Sequence, residues 1–216
     1  MNLNIIVGAD DTIANGHVKF SAGSGMIPEI MAITMLMGGP DMDPYEAFNK
    51  YITFVKGMSG SERRLAFRRG DLNATRENPA AYKKHVMPLI EKGVAETWFH
   101  HGILDVESGK HIDDPNFTEP TFEKLYTYTY GVEPSGDFYD AYKLVKSWRD
   151  SLQKAFWVNK NNPNKQKLID ALNKMIADPD SVAAIEKKVG KYEWRVGEDG
   201  NDTVKQKLKT KPKPKP

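Results

Sequence analysis

An α/β fold is what this sequence predicts, and three observations point to it. Short β-type runs alternate with helical patterns over the first two thirds of the chain. Twice, a strand-like run ends in a glycine- and serine-rich turn that opens straight into a helical pattern. With 39% hydrophobic and 28% charged residues among 216, the chain carries enough apolar material for a core.

Taken in order, residues 5–7 read as a short strand and 17–20 as a second, followed by a small-residue turn at 21–25. A helix is expected over 27–37, with Pro28 in its first turn and Gly38-Gly39-Pro40 as its stop. Asp43 caps a further short helix that has Pro44 at its first position. Residues 51–55 are the clearest strand, rich in β-branched and aromatic side chains. The turn at 57–61 leads into a helix through Arg69, which Gly70 ends. Residues 72–74 read as a short strand, Asn78-Pro79 opens a helix that Pro88 shortens or kinks, and 95–99 is another strand.

The stretch 106–120 reads as loop, and helices are expected over 121–128 and 138–148. The apolar run 155–158 is of the kind that returns to a sheet. Asn162-Pro163 opens a helix to about residue 177, Asp178-Pro179 opens the next, which Gly190 ends, and 192–196 is a last strand. Residues 205–216 read as a disordered, extended tail in which Lys alternates with Pro. No internal repeat is visible.

Composition excludes several classes. There are no cysteines, hence no disulfide framework and no thiolate chemistry. A net charge of +2, much of it in the last dozen residues, gives no reason to expect nucleic acid. No apolar run approaches the roughly 20 residues of a membrane helix. The start, MNLNIIVGADD, lacks the basic region, apolar stretch and cleavage site of an export signal. As written, the chain is expected to stay in the cytoplasm or to be a shortened form of something longer.

The two strand–turn–helix junctions, VKFSAGSGMIPEI and ITFVKGMSGSERRLAFRRG, share one physical logic. A helix N-terminus presents unpaired backbone N–H groups and the positive end of the dipole. Glycines let backbone approach a ligand closely, and serine hydroxyls add donors. On neighbouring strands the two turns would face one crevice at the strand C-termini, a site for a small organic carboxylate. The candidate ligand residues are Ser21, Gly23, Ser24, Gly25, Ser59, Gly60 and Ser61, with Arg76 as a bidentate partner for the acid. The bland alternative is a pair of ordinary connections capped by serine. Neither turn matches a dinucleotide fingerprint or a P-loop.

Other charged groups read as structural. His100, His101 and His111 with Asp113 and Asp114 lack metal-ligand spacing. The pairs Asp10-Asp11 and Asp41/Asp43 fit turns and caps. Arg63, Arg64, Arg68 and Arg69 read mostly as a solvated face flanking Leu65 and Phe67. Tyr126, Tyr128 and Tyr130 alternate with threonine, as in an amphipathic strand, a hinge edge or a ligand wall. No nucleophile elbow or Ser/His/Asp set appears, and no catalytic residue, metal or cofactor is expected.

The run FVKGMSGSERRLAFRRGDLNATREN resembles a stretch of the tripartite tricarboxylate transporter receptor family, which are type II periplasmic solute-binding proteins. The matching positions are Lys56, Gly57, Ser59, Gly60, Ser61, Glu62, Leu65, Ala66, Arg69, Gly70, Asp71 and Leu72, while Asn73 and Ala74 stand where the family often has Asp-Gly. The segments ADDTIANGHVKF, VKFSAGSGMIPEI and NPNKQKLIDALNKMIADPDSVAAIEKKVGKYEWRVGEDG are similar to that family's post-hinge strand, second-lobe turn and closing helix pair. The resemblance implies a periplasmic-binding-protein type II-like lobe with additional C-terminal helices. Residues 1–104 would be the ligand-closing second lobe, and 105–204 the hinge return and the C-terminal helical part of the first. Most of the first lobe has no counterpart here. The resemblance further implies a periplasmic location, a small organic carboxylate ligand and a membrane transporter component as partner. The alternative is a structural or interaction protein that reuses the lobe without transport.

Overall fold

The computed structural model describes residues 4–8, 16–22, 27–104, 111–114, 117–152, 156–189 and 194–209. The chain divides into two compact units, Asn2–Lys146 and Ser147–Pro216.

The first unit is built on a five-stranded sheet of β1 (Asn4–Gly8), β2 (Val18–Ala22), β3 (Ile52–Lys56), β4 (Ala74–Glu77) and β5 (Ala95–His100). Its strand order is β3-β2-β4-β1-β5. β2 runs parallel to β3 and to β4, whereas β1 runs antiparallel to both β4 and β5. Four strands therefore share one direction and β1 opposes them.

Strand alternation sends Val18, Phe20, Ile52 and Ala74 to one face, where they form a core with Met31, Ile33 and Leu36 of helix α1 (Ile27–Gly38) and with Phe122 and Tyr126. Burying a side chain such as Phe20 contributes about 1.5–3 kcal/mol. The opposite face packs on Phe67 of helix α3 (Gly60–Arg68) and on Tyr82, Val86 and Phe117. β5 serves both faces because its register with β1 shifts: Ile6 opposes Thr97 but Ile5 opposes Phe99, leaving Trp98 as the extra residue. The bulge reverses parity, so Ala95 joins the second core and Phe99 the first.

The local chemistry matches the expectations at most starts. Asp43 accepts from the N–H groups of Tyr45 and Glu46 and caps α2 (Pro44–Tyr51). Asn78 caps α4 (Pro79–Ala81), which continues through a π-helical turn, Tyr82–Val86, into α5 (Met87–Ile90). Pro88 does not end this helix; the wider turn ahead of it accommodates a residue with no N–H to give. Thr121 caps α6 (Phe122–Tyr130), and α7 (Asp137–Leu152) follows. Between β5 and α6, β6 (Ile103–Leu104) and β7 (His111–Ile112) form a two-stranded ladder, whose second strand lies inside the stretch expected to be loop. At the end of β5, His101 Nδ1 lies 2.8 Å from the Tyr142 hydroxyl, and the wholly buried Lys146 donates to the Gly102 carbonyl at 3.4 Å.

Several expectations need correction. The strand placed at 72–74 begins at Ala74 and runs to Glu77, because Leu72 donates its N–H to Ala66 in the turn after α3 and Asn73 is tied to β2. Tyr126, Tyr128 and Tyr130 lie on a helix: Tyr126 and Tyr130 share a face by i, i+4 spacing, and Tyr128 is 89% exposed. In the second unit, α8 (Lys165–Ile176) and α9 (Pro179–Val189) stand where expected. Phe156–Val158 returns to no sheet; Phe156 and Trp157 are 84% and 69% exposed. The described part of the last expected strand, 194–196, is not a strand, and α10 (Glu198–Lys209) follows it. That helix covers 205–209, where the tail was expected to begin: these residues contain no proline, and Lys205 pairs back to Asp202 and Glu198. No described helix is long and apolar enough to cross a membrane.

Candidate functional site

Strand order marks a reversal in the winding of the sheet. From β2 the chain steps outward to β3, then crosses back over β2 to β4, so the direction of winding reverses between β2 and β4. In open α/β sheets such a reversal leaves a gap at the carboxyl ends of the strands, where the covering helices part to opposite faces. β2 and β3 end side by side, Ala22 opposite Lys56. The two glycine- and serine-rich turns therefore leave the sheet from one edge.

Gly23, Ser24 and Gly25 lie outside the described residues. Ser21 is fully buried at the end of β2 and its hydroxyl donates to the Val55 carbonyl of β3 at 2.8 Å. The second turn is fully described. Gly57 adopts φ 89°, a conformation that strains any residue with a Cβ. Ser59 forms a capping box on α3: its N–H donates to the Glu62 carboxylate at 2.7 Å, and its hydroxyl accepts from the Glu62 N–H at 3.4 Å. Those contacts, the backbone one foremost, hold the Glu62 carboxyl below its ordinary pKa. Ser61 places its hydroxyl 3.1 Å from that of Ser59, and Gly60 is the first residue of the helix.

Arg76 lies within β4 rather than after it. Its guanidinium stands 3.6 Å from Glu29, a fully buried acid in the first turn of α1. The next residue, Glu77, points to the other face and takes Arg64 of α3 at 3.0 Å. Consecutive residues of one strand are thus paired to the two helices that cover its two faces.

Arg63 overturns the solvated-face expectation for its helix. It is only 7% exposed, whereas Leu65, expected to face inward, is 55% exposed. The buried side of α3 is Arg63, Ala66 and Phe67, an i, i+3, i+4 set. Reading that spacing in place of the apolar Leu65/Phe67 pair was the signal that could have found it. The Arg63 guanidinium folds back over the turn, donating from Nη1 to the Met58 carbonyl at 3.1 Å. Its Nη2 comes within 3.7 Å of the place a Cβ on Gly60 would occupy. Burial pushes its pKa down; Glu77 opposes that shift, Arg64 adds to it, and Glu29 opposes it. Arg63 thus shares one electrostatic group with Arg64, Glu77 and Glu29, which Arg76 joins through Glu29, and the Glu62 carboxylate held by the Ser59 N–H lies in the same first turn of α3. The elements around it contribute the N-termini of α1 and α3, both positive dipole ends.

Set against known proteins, the chain matches no family model and no curated protein. One solved structure to which it is similar is a putative sulfonate ABC transporter, periplasmic sulfonate-binding protein, from Methylobacillus flagellatus KT, with TM-score 0.31 and 16% identity over 46% of this chain. The match spans 28% of that protein's length. The fold seen here, a mixed α/β sheet with mostly parallel strands, rests on its own strand order.

Proposed function

We propose that the chain is a solute-binding module of the type II periplasmic-binding-protein kind, which holds a small organic carboxylate without transforming it. The observation that carries this reading is the buried Arg63, which has no ion pair among the described residues, near Arg64 and Arg76 where the winding of the sheet reverses. A buried guanidinium without an ion pair beside helix N-termini suits a small anion, and the carboxyl edge at such a reversal is where open α/β sheets bind ligands. Ser59, Gly60 and Ser61 border it, and by this reading Ser21, Gly23, Ser24, Gly25 and Arg76 complete its wall. The resemblance of Gly57–Leu72 to the tripartite tricarboxylate receptor family supports a membrane transporter component as partner and a periplasmic place of work. In the same reading residues 1–104 act as the ligand-closing lobe.

A second reading, an interaction protein that reuses the lobe, is favoured by the exposed Phe156 and Trp157, apolar surface of the sort partners cover. Amide NMR titration with acetate, succinate and citrate at constant ionic strength separates the two. The receptor reading expects saturable shifts of the amides of 57–62 and 76–78 with at least one acid. Absence of any saturable response to all three overturns it in favour of the interaction reading.

A further inference from the structure

The receptor reading leaves open which group grips the acid, and the arrangement of the arginines answers that. Arg76 is matched to Glu29 and Arg64 to Glu77, whereas Arg63 makes no ion pair among the described residues. Its Nη1 is used by the Met58 carbonyl, and its Nε is buried without a hydrogen-bond partner. A buried donor left without an acceptor is costly, so such groups in folded chains call for an explanation. The edge formed by Nε–H and Nη2–H is one of the two sides of a guanidinium that accept a carboxylate through paired, parallel hydrogen bonds. Here that edge belongs to a side chain in the first turn of α3, beside the backbone N–H groups of a nine-residue helix.

Resting on the reading above, we propose that Arg63 is the anchor of the site and that its ligand is a small organic acid presenting a single carboxylate side-on to the Nε–Nη2 edge. Arg63 is the arginine of these three with no carboxylate against its guanidinium among the described residues, so one acid group matches it. A second or third carboxylate finds Arg64 and Arg76 already matched by Glu77 and Glu29. Gly60 adds no side chain of its own beside Nη2, where the Arg64 guanidinium also lies, its Nη1 3.4 Å from the place a Cβ would occupy. Lysine at position 63 would retain the charge but present a point donor in place of the flat edge.

The test is the side-chain Nε–H signal of Arg63 in the full chain, assigned by its loss in Arg63→Lys. Acetate, succinate and citrate are added at fixed ionic strength. The expected result is a saturable shift of that signal with acetate, affinity for succinate and citrate within a few-fold of acetate, and at least tenfold weaker binding in Arg63→Lys. If the amides of 59–62 respond while the Arg63 Nε–H does not, an acid sits at the helix end without Arg63, and this proposal falls while the receptor reading stands. Binding of citrate with no response to acetate overturns the single-acid assignment. An Arg63→Lys chain that folds and binds as tightly overturns the side-on grip. Silence toward all three acids removes the proposal together with the reading beneath it.

Discussion

Arg64 on α3 stands 3.0 Å from Glu77 at the end of β4, and the two are unequally buried: Glu77 is nearly wholly enclosed, while a quarter of the Arg64 side chain meets solvent. The pair joins a helix to the strand on which the proposed site depends. Removing Arg64 leaves a buried carboxylate facing the loss of its nearest cation. For Arg64→Ala we expect a loss of about 1–3 kcal/mol, below the value for a fully buried pair because Arg64 keeps some water. Adding Glu77→Gln removes the stranded charge and should restore much of the stability. Urea unfolding of the single and double variants checks this, and a double variant no better than the single would show that Glu77 does not lean on Arg64.

Ser59 is the clearest single-residue test of the local structure. Its hydroxyl and backbone both serve the capping box of α3, so Ser59→Ala should cost about 1 kcal/mol and Ser59→Asp should preserve most of the cap. Among the described residues the Ser61 hydroxyl hydrogen-bonds with that of Ser59, and Ser61→Ala should stay within about 0.5 kcal/mol. Thermal melts that rank the two alanine variants the other way round would refute the assignment.

Where local chemistry decides the structure, the sequence shows it plainly. Asp43 before Pro44, Ser59 before Glu62 and Asn78 before Pro79 each announce a helix start that the structure contains. The β-branched and aromatic run at 51–55 announces β3, although its first residue, Tyr51, belongs to the end of α2. What was not legible depends on contacts distant in sequence. Leu72 and Asn73 look like strand until the turn after α3 and the edge of β2 claim their backbone and side-chain bonds. Trp98 looks like one more alternating position, and only the register with β1 makes it a bulge. Arg63 looks like half of a solvated pair because α3 is rich in arginine and Leu65 suggests the wrong inner face. The end of α10 looks like the start of the tail, since Gly200 in its first turn and the lysines near its end argue against a helix.

Two glycines should respond differently to alanine. Gly57 has φ 89° and open space around the Cβ position, so Gly57→Ala meets only the backbone penalty of about 1–2 kcal/mol. Gly102 has φ 70° and also lies so close to β7 that a Cβ would come within 2.5 Å of the Ile112 carbonyl oxygen. Backbone cannot move aside as a side-chain tip can, so Gly102→Ala should cost about 3 kcal/mol or more. Equal destabilisation of the two in denaturant melts would mean that the β6–β7 ladder yields readily.

His100 makes the fold sensitive to acid, with a definite sign. The ring is fully buried beside Phe117, and its Nδ1 accepts from the Gly102 N–H at 3.0 Å, which places the ring proton on Nε2. Burial pushes its pKa below the ordinary imidazole value; the charges of Asp114 and Asp113, the Glu119 backbone and the Glu119 charge oppose the shift without cancelling it. A histidine whose folded pKa is depressed resists the proton that the unfolded chain accepts. Above about pH 6.5 both states are neutral and the group has no effect on stability. As pH falls from there toward the depressed folded value, the unfolded state gains the proton first, and stability drops by at most about 1.4 kcal/mol per pH unit from this one group. His100→Asn keeps an acceptor near the Nδ1 position and removes the titration. It should therefore be less stable than the parent at pH 7.5, having lost the ring, yet lose less stability between pH 7.5 and 5. Urea unfolding at a series of pH values measures both slopes. Parallel curves for parent and variant would assign the acid sensitivity to other groups, such as His85, whose pKa is also lowered, mainly by burial.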